Sequence, residues 1–351
     1  LFYGFLADAR RRCPALDIVV IAGNHDSAAR IDAPHPVLTG FGVHVVGRFN
    51  ARALLDAVAL DRICIPLKRA DGSVGAWALA VPVLRAGDLA SRQGDGYGAG
   101  IRDVYRQLVD AAAERCRPDQ ALIGMGHLHV QGASVSGDSE RRLVIGGEEA
   151  LEPGIFPPEL SYVALGHLHK PQALGDGRLR YCGSPLPLSY SEIHYPHQVV
   201  EIELDGATVV STQSHLIPRP AQILRVPDKP LPIEQALDAL RELQVDDAPE
   251  GLEALVEVQI LASLAPTDLR ARVDEALAGK NIRLTGIHRT SPPRDPASPD
   301  EADAGIRLSM ADLQPDHLLQ RLLGEHPDLE HPDELHAAFA ELLESVHQEG
   351  H

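Results

Sequence analysis

Three short apolar segments of the chain end in the same way, and this feature constrains the fold more than any other. Each segment is followed by a glycine and then by a side chain that can bind a metal. The segments are residues 16–22 before Gly23-Asn24, residues 121–125 before Gly126-His127, and residues 162–165 before Gly166-His167. Short runs of almost only apolar residues are typical of strands covered on both faces. We therefore predict that three strand ends gather metal ligands along one edge of a sheet.

The side chains at these strand ends form a mixed set of nitrogen and oxygen donors. Asn24 supplies an amide oxygen, and His127, His167 and His169 supply imidazole nitrogens. Such a set suits Mn, Fe or Zn, whereas calcium prefers oxygen alone. The His-x-His pair at 167 and 169 can chelate if its strand end is irregular. For any single strand end, a hydrogen-bonded loop histidine is the better interpretation, but three such ends together favour a metal site.

Three neighbouring side chains have other predicted roles. His25 follows Asn24 directly, so we predict that it faces whatever the metal holds, as a general acid or as a stabiliser of phosphoryl oxygens. Asp26 holds either the His25 imidazole or the loop backbone. His129 belongs to a second Gly-His-Leu-His sequence, but another chelating pair would overfill the site. A supporting or structural role is therefore predicted for His129.

The composition excludes several classes of protein. Lys and Arg number 32 against 50 Asp and Glu, which argues against nucleic-acid binding through bulk positive charge and against a basic membrane-surface module. Residues 294–351 hold 14 acidic and 3 basic side chains, so most of the excess lies in this tail. No apolar run approaches the ~18 residues of a spanning helix. The four cysteines form no CxxC pair, which indicates a reduced, cytoplasmic chain.

The remaining pattern divides the chain into an α/β region, a smaller unit and a tail. Apolar spacing predicts helices over residues 1–12 and 101–116, and Asp205-Gly206 between two β-branched runs predicts a hairpin. From residue 222, strands and helices alternate, with Thr267 as the predicted N-cap of one helix. A Pro- and Asp-rich linker follows. Two short helices over residues 315–323 and 335–346 carry apolar stripes, which pack either on their own domain or, as the linker favours, on a partner.

The motifs resemble those of a known superfamily, the calcineurin-like metallophosphoesterases. The resemblance is carried by Gly23-Asn24-His25-Asp26, Gly126-His127, the Gly-His-Leu-His sequence at 166–169, and Arg-Tyr-x-Gly-Ser-Pro at 180–185. Within the superfamily, residues 165–170, 181–185 and 189–192 are similar to the SbcD subunits of bacterial SbcCD nucleases. The similarity extends over essentially the whole chain.

This resemblance implies a fold, a metal centre and residue roles. The fold would be α/β, with a four-layer α/β/β/α metallophosphoesterase core, a small α+β capping domain and C-terminal helices. The centre would hold two Mn²⁺ ions, or Mg²⁺ or another divalent cation. By position, Asn24, His127 and His167 match ligands of one metal, His169 matches a ligand of the other, and His25 matches the catalytic histidine.

The resemblance also implies domains, partners and an activity. Residues 1–217 would form the nuclease domain, 218–291 the DNA-capping domain and 292–308 a linker. Residues 309–351 would dock on SbcC, the SMC-like ATPase subunit. The complex would cleave double-stranded DNA ends and hairpins, as exonuclease and endonuclease, under ATP control in DNA repair, recombination and replication. A cytoplasmic homodimer without membrane contact is expected.

The sequence departs from the family pattern in one respect. The family begins with an Asp-x-His motif and a Gly-Asp-x-x-Asp motif, and neither precedes Gly23-Asn24 here. We therefore expect an N-terminally truncated core that binds metal weakly and cleaves poorly, because a carboxylate that bridges two metals is missing. Two alternatives follow: a non-catalytic adaptor that binds the ATPase through its tail helices, and a small-molecule metallophosphoesterase.

Overall fold

The computed structural model describes residues 1–51, 57–89, 96–136, 150–262 and 266–291, together with residues 319, 323, 335 and 338–340. The chain divides into two units, Leu1–Thr290 and Ser291–His351. The first unit contains the elements that position the candidate site.

The first helix packs on a small parallel sheet. Helix α1 (Phe2–Arg12) precedes strand β1 (Ile18–Ile21), which pairs with β2 (Val43–Val46). Two short helices connect these strands, α2 (Ala28–Asp32) and α3 (His35–Leu38). Successive β1 side chains point to opposite faces: Ile18 and Val20 pack in a cluster with Leu6, whereas Val19 and Ile21 pack on the main core. Strand β1 is therefore covered on both faces, as its composition predicts.

A six-stranded mixed sheet forms the centre of the unit. Its order is β3-β4-β5-β6-β8-β7, with β4, β5, β6 and β8 parallel and the two edge strands antiparallel to their neighbours. The strands are β3 (Cys64–Lys68), β4 (Val74–Ala80), β5 (Ala121–His127), β6 (Tyr162–Gly166), β7 (Gln172–Leu174) and β8 (Leu179–Tyr181). The predicted strands at residues 121–125 and 162–165 are thus confirmed, and they are neighbours.

Two helices accompany this sheet. The shorter, α4 (Ala57–Ile63), leads into β3. The longer, α5 (Tyr97–Ala113), covers the sheet with the face that the sequence predicts, since Val104, Leu108 and Ala112 are all buried in the main core. The predicted hairpin is also present, as β9 (Gln198–Asp205) and β10 (Thr208–Leu216).

A second α+β arrangement follows the hairpin and has its own apolar cluster. Strands β11 (Ile223–Leu231), β12 (Ala254–Leu261) and β13 (Ile282–Thr290) form a three-stranded parallel sheet. The crossover helices are α6 (Ile233–Glu242) and α7 (Leu269–Ala276). The predicted alternation of strands and helices is confirmed. Thr267 as N-cap is wrong, because the structure places Asp268 at this position without a side-chain capping bond.

The prediction of a single sheet edge needs a correction. Strands β5 and β6 are neighbours in the six-stranded sheet, but β1 belongs to the separate sheet formed with β2. The end of β1 nevertheless reaches the segment after β4, because the Val83 amide donates to the Ala22 carbonyl at 3.0 Å. The three strand ends therefore meet across two sheets.

Several predictions lie mainly outside the described residues. The linker 292–308 lies wholly outside, and of the two C-terminal helices only isolated positions are described, all of them helical. All four cysteines are free thiols, as predicted. Among the described residues, no helix has both the length and the apolar character needed to cross a bilayer.

Candidate active site

The ends of β1, β5 and β6 enclose a cleft with a volume of about 200 Å³. The five side chains with a predicted ligand or catalytic role all line it: Asn24, His25, His127, His167 and His169. No Asp or Glu is among its described lining residues.

The closest contact between predicted ligands joins the two sheets. The Oδ1 atom of Asn24, after β1, lies 2.9 Å from Nε2 of His127, at the end of β5. The glycines at the strand ends make room for this ring. A Cβ atom on Gly23 would lie 2.5 Å from Cε1 of His127, and one on Gly166 would lie 2.9 Å from its Nδ1. Close approach of the backbone to an imidazole is therefore why glycine is needed at both positions.

His167 lies beside His127 on an unusual backbone. The two rings meet edge to face with their centroids 5.4 Å apart. His167 has a φ of 101°, and it is the one non-glycine residue with positive φ among those described. Such a conformation is uncommon for residues with a Cβ and persists where the surrounding structure enforces it. It ends β6 irregularly, which is the condition that chelation by the His-x-His pair requires.

Burial keeps the two inner imidazoles neutral. It lowers the pKa of His127 to about 4 and that of His167 to about 3, and the neighbouring histidines reinforce both shifts. Neutral imidazoles offer a nitrogen lone pair at neutral pH. Both side chains are therefore in the protonation state that a metal requires.

His169 has a partner that the sequence analysis did not single out. Its Nδ1 atom lies 2.7 Å from Oε1 of Glu192, whose side chain is fully buried. The Leu188 amide donates to the other carboxylate oxygen at 2.8 Å. Glu192 belongs to the SbcD-like sequence at 189–192, but no role was predicted for it. A carboxylate buried beside a predicted ligand is visible only after folding.

The loop that carries Glu192 is fixed to the strand ends. The Tyr181 hydroxyl donates to the Leu128 carbonyl at 2.7 Å and accepts from the Val130 amide. The Ser184 amide donates to the His169 carbonyl at 3.0 Å. The buried His197 ring faces the carbonyl oxygens of Ser184 and Glu192, at 2.9 and 3.1 Å. The sequence at 180–185 is thus more than a turn, because it ties together the loops that bear His169 and Glu192.

The structure also shows the surroundings of the other three side chains with predicted roles, Asp26, His25 and His129. Asp26 holds the loop backbone, since its carboxylate accepts from the Gly23 amide at 2.8 Å. His25 is exposed and lines the cleft, close enough to affect the titration of His127 and His167 electrostatically. His129 also affects His167 electrostatically without lining the cleft.

The amide oxygen and imidazole nitrogens of the cleft are donor types that divalent transition metals bind, but they are few in number. Asn24 Oδ1 and His127 Nε2, 2.9 Å apart, would bring one amide oxygen and one imidazole nitrogen to the same ion. Within the described part of the chain, however, no three His, Cys, Asp or Glu side chains are placed together to hold an ion. The described residues of the cleft therefore offer part of a metal site, without a carboxylate ligand.

Comparison with known proteins reveals similar sequences along most of the chain. The SbcD subunit of the nuclease SbcCD from Rhodobacter capsulatus is 39% identical over 301 residues, which cover 83% of this chain and 73% of the relative. The chain belongs to the SbcD family. The same subunit from Escherichia coli K12 is 33% identical over 221 residues, and that from Bacillus subtilis 168 is 33% identical over 207 residues.

Two further findings define the extent of the match to the SbcD family. The aligned region covers 52% of the E. coli subunit and 50% of the B. subtilis subunit, so the match spans about half of each. The sequence model of a family described as "Type 5 capsule protein repressor C-terminal domain" matches residues 219–326. That match begins just before β11 and includes the three-stranded sheet.

Proposed function

We propose that this chain is the nuclease subunit of an SbcCD-type complex and that it acts by metal-dependent hydrolysis of phosphodiester bonds in DNA. The observation that carries the proposal is the contact of Asn24 with His127 across two sheets, in a cleft that His25, His167 and His169 also line. Family membership supports the same activity. The proposed substrates are double-stranded DNA ends and hairpins, cleaved as exonuclease and endonuclease.

The proposed metal centre uses the neutral donors of the cleft. Asn24, His127 and His167 would hold one ion and His169 a second, with Mn²⁺, Mg²⁺ or another divalent cation as occupant. Such ions polarise a phosphoryl oxygen and generate a nucleophile from water at neutral pH. The lowered pKa values of His127 and His167 support ligation, because both rings keep their lone pairs at neutral pH.

His25 is the proposed catalytic histidine. Its exposed side chain lies on the rim of the cleft beside the partly buried His127 and His167. From there it can contact a phosphate that enters the cleft, donate a proton to a leaving oxygen or stabilise phosphoryl charge. The Gly23 amide and the Asp26 carboxylate hold the loop that carries it.

The four-layer core and the domain division are part of the same proposal. Strand β1 faces the Leu6 cluster on one side and the main core on the other, which supports two sheets stacked between helices. The separate apolar cluster of β11–β13, α6 and α7 supports an independent DNA-capping domain at 218–291 within a chain whose nuclease domain is 1–217. Residues 292–308 would be the linker.

The proposed partners follow from the family and from charge. Residues 309–351 would dock on the SMC-like ATPase SbcC, which supplies ATP control, and the acidic tail suits a basic partner surface. Cytoplasmic action as a homodimer in DNA repair, recombination and replication completes the proposal. Because no carboxylate is among the described residues of the cleft, we propose that this chain alone binds metal weakly and cleaves poorly. Two tightly bound metals per chain by elemental analysis would contradict this last point.

The test compares cleavage of linear duplex DNA by the chain with its ATPase partner, in Mn²⁺, before and after substitution of His25. For His25→Gln we expect a loss of about 100-fold or more, because general acid–base groups contribute about 10²–10⁴-fold. Mn²⁺ binding, followed by electron paramagnetic resonance, should be unchanged. His215→Gln on the exposed hairpin is the control. Unchanged cleavage by His25→Gln would contradict the role of His25.

Two other results would favour the alternatives. Association with the ATPase without any cleavage would indicate a non-catalytic adaptor, in keeping with the small donor set. Hydrolysis of a chromogenic phosphodiester without cleavage of DNA would indicate a small-molecule metallophosphoesterase.

A further inference from the structure

The contact between Glu192 and His169 assigns Glu192 a function. We propose that Glu192 is a positioning residue, which fixes the tautomer and ring orientation of His169 so that Nε2 presents its lone pair to the cleft. The positioning role rests on the proposed metal centre. The contact between Glu192 and His169 does not depend on it, because the two side chains meet in the folded chain without a metal.

Each oxygen of the Glu192 carboxylate has a donor. Its Oε1 atom lies 2.7 Å from Nδ1 of His169, and its Oε2 atom accepts from the Leu188 amide at 2.8 Å. Because the Leu188 amide donates to Oε2, Oε1 is left as the acceptor that faces His169, and this contact places the ring proton on Nδ1. The unprotonated nitrogen is then Nε2, the atom whose lone pair a metal can bind.

Burial makes this arrangement specific. The Glu192 side chain is fully buried, and a carboxylate removed from water must be paired with hydrogen-bond donors. His169 is 18% exposed, so one part of its ring contacts the carboxylate while another reaches the cleft. Metal-binding histidines commonly donate their other ring N–H to a carboxylate, which fixes the tautomer and raises ligand basicity.

The backbone around Glu192 is held from several sides. Residues Tyr190–Glu192 form a single turn of 3₁₀ helix, and the Ser189 side chain caps it by accepting from the Ser191 amide. The buried His197 ring contacts the Glu192 carbonyl at 3.1 Å. These contacts fix the carboxylate before any ligand enters, as a residue that orients another requires.

The Tyr190 side chain links the same turn to the three-stranded sheet. Its hydroxyl lies 2.5 Å from Oγ1 of Thr285 in β13, and the Arg225 guanidinium stands over its ring at 5.8 Å. Arg225 in turn pairs with Glu257 at 2.7 Å. The turn that carries Glu192 therefore rests on the proposed capping domain as well as on the strand ends.

The hairpin offers a matched control for the experiment. Glu201 and His215 form a pair with the same separation of 2.7 Å, but their side chains are 65% and 44% exposed. Glu201→Gln removes the same charge from the same type of contact outside the cleft. Glu192→Gln keeps the volume of Glu192 but leaves one acceptor oxygen for two donors.

The first measurement is the tautomer of His169 in the metal-free chain, by ¹⁵N NMR of labelled histidine rings, with His169→Gln to assign the signals. In the wild-type chain we expect Nδ1 to be protonated and Nε2 not. Glu192→Gln should produce a mixture of tautomers, whereas Glu201→Gln should leave His169 unchanged. A wild-type His169 protonated at Nε2 would overturn the proposal without any substitution at Glu192.

The second measurement is Mn²⁺ affinity by electron paramagnetic resonance on the wild-type chain, Glu192→Gln and Glu201→Gln. We expect Glu192→Gln to weaken binding about 10–100-fold, the usual effect of removing a partner of a ligand histidine, and Glu201→Gln to leave it unchanged. Wild-type affinity in Glu192→Gln would overturn the positioning role and leave the proposed function intact. Absence of Mn²⁺ binding in the wild-type chain would overturn the metal centre instead, while the NMR result still decides whether Glu192 sets the tautomer.

Discussion

His127 Nε2 and Asn24 Oδ1 lie 2.9 Å apart, although 103 residues separate them and their strands belong to different sheets. Their separation depends on how the β1–β2 sheet packs on the six-stranded sheet. The Val83 amide, which donates to the Ala22 carbonyl, links the two layers close to this contact. Small changes in packing between the sheets should therefore act directly on the candidate site.

Gly23→Ala should separate these two residues. The new Cβ would lie 2.5 Å from Cε1 of His127, so the ring or the loop must move. We expect a loss of about 1–3 kcal/mol in the free energy of unfolding, as for other overpacked sites, and weaker Mn²⁺ binding. Urea titration and electron paramagnetic resonance measure the two effects. Gly40→Ala, where a Cβ meets nothing within 4 Å, is the control; equal behaviour of the two variants would contradict the prediction.

The metal-free chain should lose stability on acidification between pH 6.5 and about pH 3, the lower of the two folded-state pKa values. The folded-state pKa values of about 4 for His127 and about 3 for His167 lie below the usual 6.5. The unfolded chain therefore binds more protons in this window, so the free energy of unfolding falls as the pH falls.

Urea titrations at pH 7, 6 and 5 in the presence of a chelator measure this dependence. His127→Gln and His167→Gln should each flatten it, and the exposed His215→Gln should not. If the free energy of unfolding falls equally steeply with decreasing pH in all three variants, groups other than His127 and His167 cause the loss.

Tyr105→Phe should weaken the attachment of α5 to β5. The Tyr105 hydroxyl donates to the Met125 carbonyl at 2.8 Å, and burial raises the pKa of this phenol far above its usual value. Its proton is therefore always available. We expect a loss of about 1 kcal/mol, the usual net value of one hydrogen bond, seen as a lower urea midpoint with an unchanged slope. Tyr3→Phe, on an exposed side chain, should have no effect.

Leu237→Ala should test whether the proposed capping domain unfolds by itself. Leu237 in α6 is fully buried in the cluster of the three-stranded sheet, so its truncation should cost about 2–5 kcal/mol. The one tryptophan, Trp77, lies in β4 of the six-stranded sheet. We expect the circular dichroism transition in urea to shift and the Trp77 fluorescence transition to stay in place. Coincident shifts of both signals would indicate one cooperative unit.

Local patterns in the sequence predict most of the elements and the residues of the cleft. Apolar runs that stop at glycine mark β1, β5 and β6, and the side chains after them do meet. The sheet to which β1 belongs could not be predicted, because a short buried strand carries no information about its neighbours. The N-cap predicted at Thr267 is a smaller failure. A residue suited to capping shows where a helix can begin, but the packing of the helix decides where its first turn lies.

Glu192 shows why a site is harder to predict than the strands that support it. The sequence at 189–192 is distinctive, yet nothing in it indicates that a carboxylate there is buried against His169, 23 residues earlier. That contact depends on the turn at 180–185 and on His197, which together bring two loops side by side. Interactions between loops are set by tertiary structure, and a periodic pattern does not encode them.

The positive φ of His167 has a consequence for which substitutions at this position would stabilise the fold. A side chain held in that region of backbone space carries a local cost of about 1–3 kcal/mol, which the surrounding packing must offset. Selection for a more robust fold alone would replace this imidazole with a residue better suited to the backbone. Variants enriched for heat resistance should therefore accumulate glycine or asparagine at position 167, and their gain in robustness would come with the disappearance of a proposed ligand.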